Sequence, residues 1–244
     1  MNILLTGATG FIGSNILKKL IDKNKLFIII RDKSKNKYFK NKNVKIINFN
    51  NYENLSNKLK KIKVSIVIHA ATHYVKNHTT KDLQKFTNSN ILLGNVILDN
   101  LNNMRVKKFI NFSTIWEDFN GIRDNFFNLY AAYKKAFSIL INHYERKNKK
   151  IKIYRLMISD TFGLNDKRKK IINILNKNYK RNISTKITSK NLSINLLNVI
   201  DIVQAVDLLC KKNIKPGKYL IKNNKNVKLK ELIDKFNYKN NKKI

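Results

Sequence analysis

Thr6-Gly7-Ala8-Thr9-Gly10-Phe11-Ile12-Gly13 is the stretch whose reading decides the fold. It follows a short aliphatic run, Ile3–Leu5, read as a strand, and it opens a helix read over Phe11–Ile21. A strand that turns through glycines into a helix presents the backbone N–H groups of the helix N-terminus to an anion. The spacing gives each glycine a task. Gly7 permits the tight turn, Gly10 lets a pyrophosphate approach the backbone, and Gly13 lets helix and strand pack closely. The chain has only seven glycines in 244 residues, so three within one loop carry weight that a triplet in an ordinary composition would not. No Gly-Lys-Ser/Thr follows, which separates the loop from the phosphate loop of nucleotide hydrolases. A dinucleotide site is therefore expected, with Gly7, Thr9, Gly10, Phe11, Ile12 and Gly13 lining it.

Outward from this loop the first half of the chain alternates strands and helices. Strands are read at Leu26–Ile30, Val44–Phe49, Val64–His69, Lys108–Phe112 and Ile151–Met157, and helices at about Tyr52–Ile62, Asp82–Leu101 and Leu129–Tyr144. Short aliphatic runs with few polar residues between them suit strands buried on both faces of a parallel sheet. The alternation implies an α/β fold with a doubly wound parallel sheet, the Rossmann arrangement. On the longest helix, Leu83, Phe86, Asn90, Leu93, Ile97 and Leu101 fall on one stripe. Later helical stretches (Lys169–Lys177, Ile200–Leu209, Leu229–Phe236) lack the strict alternation. Residues 1–160 are thus expected to form the NAD(P)-binding domain. Residues 161–244 should form a small C-terminal substrate-binding lobe interleaved with that core.

Composition narrows the partners. Lys and Arg number 51 against 15 Asp and Glu, a formal charge of +36. Such a field can attract nucleic acid. Here the Lys residues are spread over helices and loops alike, without the concentrated face and interleaved aromatics of a dedicated binder. The charge reads as a drift of overall composition, and nucleic acid is not an expected partner. Cys210 is the only cysteine, which excludes a disulfide framework. His73, His78 and His143 are scattered without ligand spacing, so no metal site is expected. The apolar runs are too short to span a bilayer, and no leader is visible before the first strand. A cytoplasmic protein without a membrane partner is expected.

The end of the second strand bears on the cofactor. A carboxylate there grips the ribose hydroxyl of NAD, whereas a guanidinium suits the 2′-phosphate of NADP. Arg31 takes that place, with Lys33, Ser34 and Lys35 behind it, and this favours NADP(H). Asp32 keeps NAD(H) open.

The chemistry is read from Tyr130-Ala131-Ala132-Tyr133-Lys134, which sets a phenol and an ammonium one helical turn apart on one face. A neighbouring cation favours the phenolate and lowers the phenol from its ordinary value of about 10, making Tyr130 a usable acid or base. Lys134 would also hold the nicotinamide ribose. Thr114, just past the fifth strand, can hydrogen-bond the substrate oxygen, and Ser113 competes for that role. In a Lys-rich chain the Tyr-x-x-x-Lys spacing arises readily by chance. Its place after a glycine loop and a Ser-Thr strand end gives it meaning.

These motifs resemble the extended short-chain dehydrogenase/reductases, the NAD-dependent epimerase/dehydratase family of sugar-nucleotide enzymes, nearly from end to end. His69-Ala70-Ala71 is similar to the family's His-x-Ala-Ala turn near the cofactor. Asn90-Ile91-Leu92-Leu93-Gly94 resembles the stretch that carries its helix-four Asn, and Asn50 stands where the family often has an Asp contacting adenine. Asp160-Thr161-Phe162-Gly163 resembles the Asn/Asp-x-Tyr-Gly segment, and Leu197–Ile202 the Val-x-Asp-Val segment. Within the family, Ser113–Glu117 and Asn128–Ala132 look most like the CDP-abequose synthase-like 4-keto sugar reductases. The resemblance implies a nucleotide-sugar substrate and assigns Thr114, Tyr130 and Lys134 to catalysis. It places Asn50, His69, Ala70, Ala71 and Asn90 at the cofactor, beside Arg31, and the segment of Asp160 near substrate. Ser113 and Trp116 are read as facing the sugar from their place around Thr114, and Arg168 as a cation for the nucleotide diphosphate. It also implies a homodimer through helices four and five. The departures are Phe162 for the usual Tyr, Leu164 for the usual Pro, and a short chain.

The resulting expectation is reduction of a 4-keto-6-deoxy sugar nucleotide by hydride transfer, with Tyr130 donating the proton. The alternative is a 4-epimerase that retains NAD. A 4,6-dehydratase would carry Asp-Glu directly after the catalytic Thr, where this chain has Ile115 and Trp116. Outside these chemistries stand a non-catalytic cofactor sensor and a nucleic-acid-binding relative of the same fold. The second predicts salt-sensitive RNA binding that survives Tyr130→Phe.

Overall fold

The computed structural model describes residues 1–183 and 192–240. The first half runs β1 (Asn2–Thr6), α1 (Phe11–Leu20), β2 (Lys25–Ile30), β3 (Val44–Asn48), α2 (Tyr52–Lys60), β4 (Ile66–His69), α3 (Thr80–Phe86) and α4 (Leu93–Asp99). It continues through β5 (Lys108–Thr114), α5 (Leu129–Lys147) and β6 (Lys152–Ile158). Shorter elements follow: β7 (Asp160–Phe162), α6 (Ile171–Lys180), β8 (Ser193–Ile194), β9 (Leu196–Asn198), α7 (Val199–Lys211), β10 (Gly217–Ile221), β11 (Val227–Lys228) and α8 (Leu229–Asn240).

Seven strands form one sheet in the order β3-β2-β1-β4-β5-β6-β10. The pairs β1–β2, β2–β3, β1–β4 and β4–β5 are parallel. The chain steps to one side of β1 with β2 and β3, then returns to its other side with β4. Such a switch point opens a crevice at the carboxyl ends of the strands, where ligands of open α/β sheets bind. Register puts Thr6 beside His69 and His69 beside Asn111, so the loops leaving β1 and β4 rise side by side. The aliphatic runs end up fully covered, as their lack of alternation implied: Ile3, Leu4, Leu5, Val67 and Ile68 are all 0% exposed.

The helix expected over Asp82–Leu101 is divided. Between α3 and α4 lies a π-helical turn, Thr87–Leu92, of the kind that often marks a functional site. Tertiary hydrogen bonds hold it. The Tyr52 hydroxyl donates to the Asn88 carbonyl at 2.7 Å, and the Asn90 amide is drawn to the backbone of His73. The apolar stripe starts at Phe86, because Leu83 is 40% exposed, and it continues through Leu93, Ile97 and Leu101.

Gly94 sets how closely α4 lies on α5, the helix that carries Tyr130 and Lys134. A Cβ at Gly94 would meet the Phe137 ring at 2.2 Å, and Phe137 is 1% exposed with nowhere to retreat. Gly94→Ala is expected to destabilise by about 1–3 kcal/mol through overpacking. That is a fall in Tm of roughly 2–12 °C for a chain of this size, readable by calorimetry. An unchanged Tm would show that Phe137 can move.

Two compact units make up the chain: Met1–Met157 with Val203–Leu220, and Ile158–Ile202 with the chain from Ile221 onward. The second has its own small core of Leu175, Leu229 and Ile233. It is tied by β7–β9 and β8–β11 pairing and by the Asn195 side chain, which bridges to Asn223 and Asn226. Among the described residues no helix is long and apolar enough to cross a membrane.

Candidate active site

The glycine loop divides into positions the chain needs for itself and one that it does not. Gly7 has φ +71°, and a Cβ there would lie 2.7 Å from the backbone of Ala70 and Ala71. A Cβ on Gly13 would lie 2.1 Å from the Gly7 carbonyl oxygen. Both glycines answer to internal backbone contact. Gly10 has extended φ and ψ, and its Cβ would come only within 3.3 Å of the Gly7 oxygen. Its lack of a side chain matters to whatever approaches from outside. Gly10 is the N-cap of α1 and supplies no capping side chain, and no acidic residue stands in the first turn. Thr9 and Gly10 are exposed, and Phe11 and Ile12 are half-buried. An anion-receiving helix end with clear access fits a dinucleotide pyrophosphate.

The turn after β4 is locked to this loop. The Thr6 hydroxyl lies 3.0 Å from His69 Nδ1 and accepts from the Ala71 N–H at 3.0 Å. His69 is 1% exposed, and burial, reinforced by the nearby Lys134 ammonium, drives its pKa down to about 3, so the ring is neutral. Asn90 sits 2% exposed in the π-helical turn. It accepts from the His73 N–H and the Thr72 hydroxyl and donates to the His73 carbonyl, which fixes the segment following Ala71.

At the other edge of the crevice Arg31 is exposed at the end of β2. Asp32 is turned to its own chain: its carboxylate accepts from the Ser34 N–H at 3.0 Å and hydroxyl at 2.7 Å, and these bonds hold its pKa low. Asn50 is exposed just past β3.

Tyr130 and Lys134 meet where the sequence spacing put them. The Asn128 side chain accepts from the Ala131 N–H at 3.1 Å and starts α5, so Tyr130 lies in the first turn and Lys134 directly below it. Lys134 is 4% exposed. Its ammonium donates to the Phe112 carbonyl at 2.9 Å and lies 5.8 Å from the centre of the Tyr130 ring. Burial pulls Lys134 down to about 8, opposed by the negative charge of Glu117. Thr114, 6% exposed, ends β5. Its oxygen accepts from the Trp116 N–H at 3.3 Å, which leaves the hydroxyl proton to donate elsewhere. Ser113 points to the opposite face of the strand, as alternation requires, and its oxygen is buried with no hydrogen-bond partner among the described residues.

Trp116 joins an aromatic group that the sequence did not disclose. Tyr74 packs edge-on against Tyr130 with ring centres 5.0 Å apart and lies 6.0 Å from Trp116, which contacts Phe127 at 5.0 Å. Beside it a cavity of about 380 Å³ is lined by Lys76, Asn77, His78, Phe127, Asn128 and Leu129. Tyr74 and Phe127 lie in stretches without periodicity, and no local signal marks them. Glu117 carries no such signal either: it is 1% exposed, and its burial, not its type, singles it out. Asp160 and Arg168 belong to the second unit. Asp160 pairs with Lys170 at 3.2 Å, and the Arg168 guanidinium is engaged by Asp166 at 2.8 Å and by the Thr161 hydroxyl at 2.9 Å.

Comparisons with known proteins agree with this geometry. Residues 3–221 match the NAD dependent epimerase/dehydratase family. The chain is 26% identical over 207 residues to the CDP-abequose synthase of Yersinia pseudotuberculosis, covering 84% of this chain and 72% of that one. Its fold is similar to that of UDP-glucose 4-epimerase from Thermotoga maritima, solved with UDP-glucose (TM-score 0.85, 20% identity, 99% of this chain and 83% of that one). It is similar also to the Thermus thermophilus UDP-glucose 4-epimerase in complex with NAD (TM-score 0.82, 18% identity, 99% and 84%). With a match spanning almost the whole chain and the family's loop, turn and helix motifs assembled on one sheet edge, the protein belongs to the NAD dependent epimerase/dehydratase family of enzymes.

Proposed function

We propose that this enzyme reduces a 4-keto-6-deoxy sugar nucleotide, using NADP(H) in preference to NAD(H). The observation that carries the reading is the Tyr130–Lys134 pair, a half-buried phenol over a buried ammonium at the same sheet edge as the glycine loop. The bound nicotinamide supplies hydride chemistry. Everything else is the work of the chain's own residues. Gly7, Gly10 and Gly13 admit the pyrophosphate. His69, Ala70, Ala71 and Asn90 shape the wall beside it. Lys134 holds the nicotinamide ribose and keeps a positive charge under Tyr130. Thr114 polarises the substrate oxygen through a hydrogen bond from its hydroxyl, and Tyr130 gives that oxygen its proton as the carbonyl becomes an alcohol.

The cofactor preference rests on Arg31, which is exposed at the ribose end, while Asp32 is occupied by Ser34. The substrate class rests on the kinship with CDP-abequose synthase, supported by the apolar wall of Tyr74, Trp116 and Phe127 beside Tyr130, which suits a sugar lacking its 6-hydroxyl. Purified protein mixed with NADPH and a panel of 4-keto-6-deoxy hexoses on CDP, dTDP and GDP is expected to oxidise NADPH with at least one of them. Epimerisation of a UDP-hexose with NAD, and no NADPH oxidation across the panel, would overturn the reductase reading.

A further inference from the structure

Glu117 lies in the 3-10 segment Ile115–Gly121, three residues beyond Thr114, and is 1% exposed. Its Oε1 is buried and has no hydrogen-bond partner among the described residues. A carboxylate held in that state is costly, and such groups persist where another role compensates. The charged groups that act on it come from three elements: Lys218 on β10, Lys134 and Lys135 on α5, and Asp118 beside it in the chain. Two of those cations have closer acidic partners. Lys135 contacts Asp124 at 2.6 Å and Asp118 at 3.8 Å, and Lys218 contacts Asp118 at 3.8 Å. Lys134 differs. Its hydrogen bond goes to a neutral carbonyl, its imidazole neighbour His69 is uncharged, and Glu117 is the acidic group that acts on it.

We propose that Glu117 is a positioning residue of the active site, whose buried carboxyl supplies the negative charge that keeps Lys134 an ammonium beneath Tyr130. The inference rests on the roles assigned above to Tyr130 and Lys134, and it adds a fourth member to Thr114, Tyr130 and Lys134. Burial pushes Glu117 up to about 7 and pulls Lys134 down to about 8. Each charge favours the other. Removing the carboxylate lowers the hold of Lys134 on its proton, so the ammonium is lost at a lower pH.

The test compares wild type with Glu117→Gln, which keeps the shape without the charge, and Glu117→Asp, which keeps the charge and withdraws it by one methylene. Binding of NADPH and of NAD⁺ is titrated by fluorescence across the neutral and alkaline range, with melting curves to follow the fold. In wild type, affinity should fall on the alkaline side as Lys134 loses its proton. In Glu117→Gln that fall should move to lower pH by about half a unit or more, with a smaller move for Glu117→Asp. The alkaline limb of kcat/KM should follow once a substrate is in hand. A merely structural Glu117 would change Tm and leave the limb in place, and an unshifted limb overturns the proposal. If the Gln variant does not fold, the Asp variant decides by the same criterion. Because the titration needs cofactor alone, it stands even if no sugar nucleotide is turned over. Failure of wild type to bind either cofactor would overturn both readings.

Discussion

Tyr130→Phe is expected to lower kcat by roughly 10²–10⁴-fold, about 3–5 kcal/mol of transition-state stabilisation, while cofactor affinity stays within a few-fold of wild type. The change removes one oxygen and keeps the ring. The edge-on contact with Tyr74 at 5.0 Å survives, as does the seat of the Lys134 ammonium, which is held by the Phe112 carbonyl rather than by the phenol. The fold should therefore be intact, and the loss should fall on the chemical step. Steady-state kinetics with the keto sugar, set beside NADPH binding by fluorescence, separates the two. A variant that retained near-wild-type turnover would remove Tyr130 as proton donor and leave Thr114 or a bound water in its place. A variant that kept kcat but lost cofactor affinity would make Tyr130 a binding residue.

The second large effect is expected in the glycine loop, where two superficially equal substitutions should behave differently. A Cβ at Gly13 would stand 2.1 Å from the Gly7 carbonyl oxygen and 2.6 Å from its carbon, and both are backbone atoms that cannot rotate aside. Gly13→Ala must push α1 off β1, so soluble protein, Tm and cofactor binding should all suffer. At Gly10 the nearest atom is 3.3 Å away and the backbone is extended, a conformation open to any residue. Gly10→Ala should fold with a Tm close to wild type, yet lose cofactor affinity by roughly a hundredfold, about 2.7 kcal/mol, because the new methyl occupies the approach of the pyrophosphate. Paired melting and NADPH-binding measurements check both. Undiminished binding by folded Gly10→Ala would remove the pyrophosphate from that position.

What could be read from the chain in advance was whatever depends on neighbours in sequence. The glycine spacing is local chemistry, since 7-10-13 is one turn of backbone entering one helix. Tyr130 and Lys134 share a helix face because i and i+4 always do. Short aliphatic runs without alternation announced strands covered on both sides, and Ile3, Leu4, Leu5, Val67 and Ile68 are covered. The long helix could be placed but not its interruption. The π-helical turn at Thr87–Leu92 is held by Tyr52 from α2 and by the backbone of His73, partners 36 and 17 residues distant. No stripe of apolar residues records such a bond.

The site divides along the same line. The sequence by itself determined that a dinucleotide loop, a Thr at a strand end and a Tyr–Lys pair exist, because each is a short pattern with its own backbone geometry. Only the tertiary structure decided what surrounds them. It brought Gly7 against Ala70 and stood Tyr74 between Tyr130 and Trp116. It also buried Glu117 and Lys134. The reason is physical: a buried charge is distinguished from a solvated one by desolvation, which is a property of everything packed around it. In a chain with 51 basic residues, composition made Lys134 one lysine among many, and burial sets it apart.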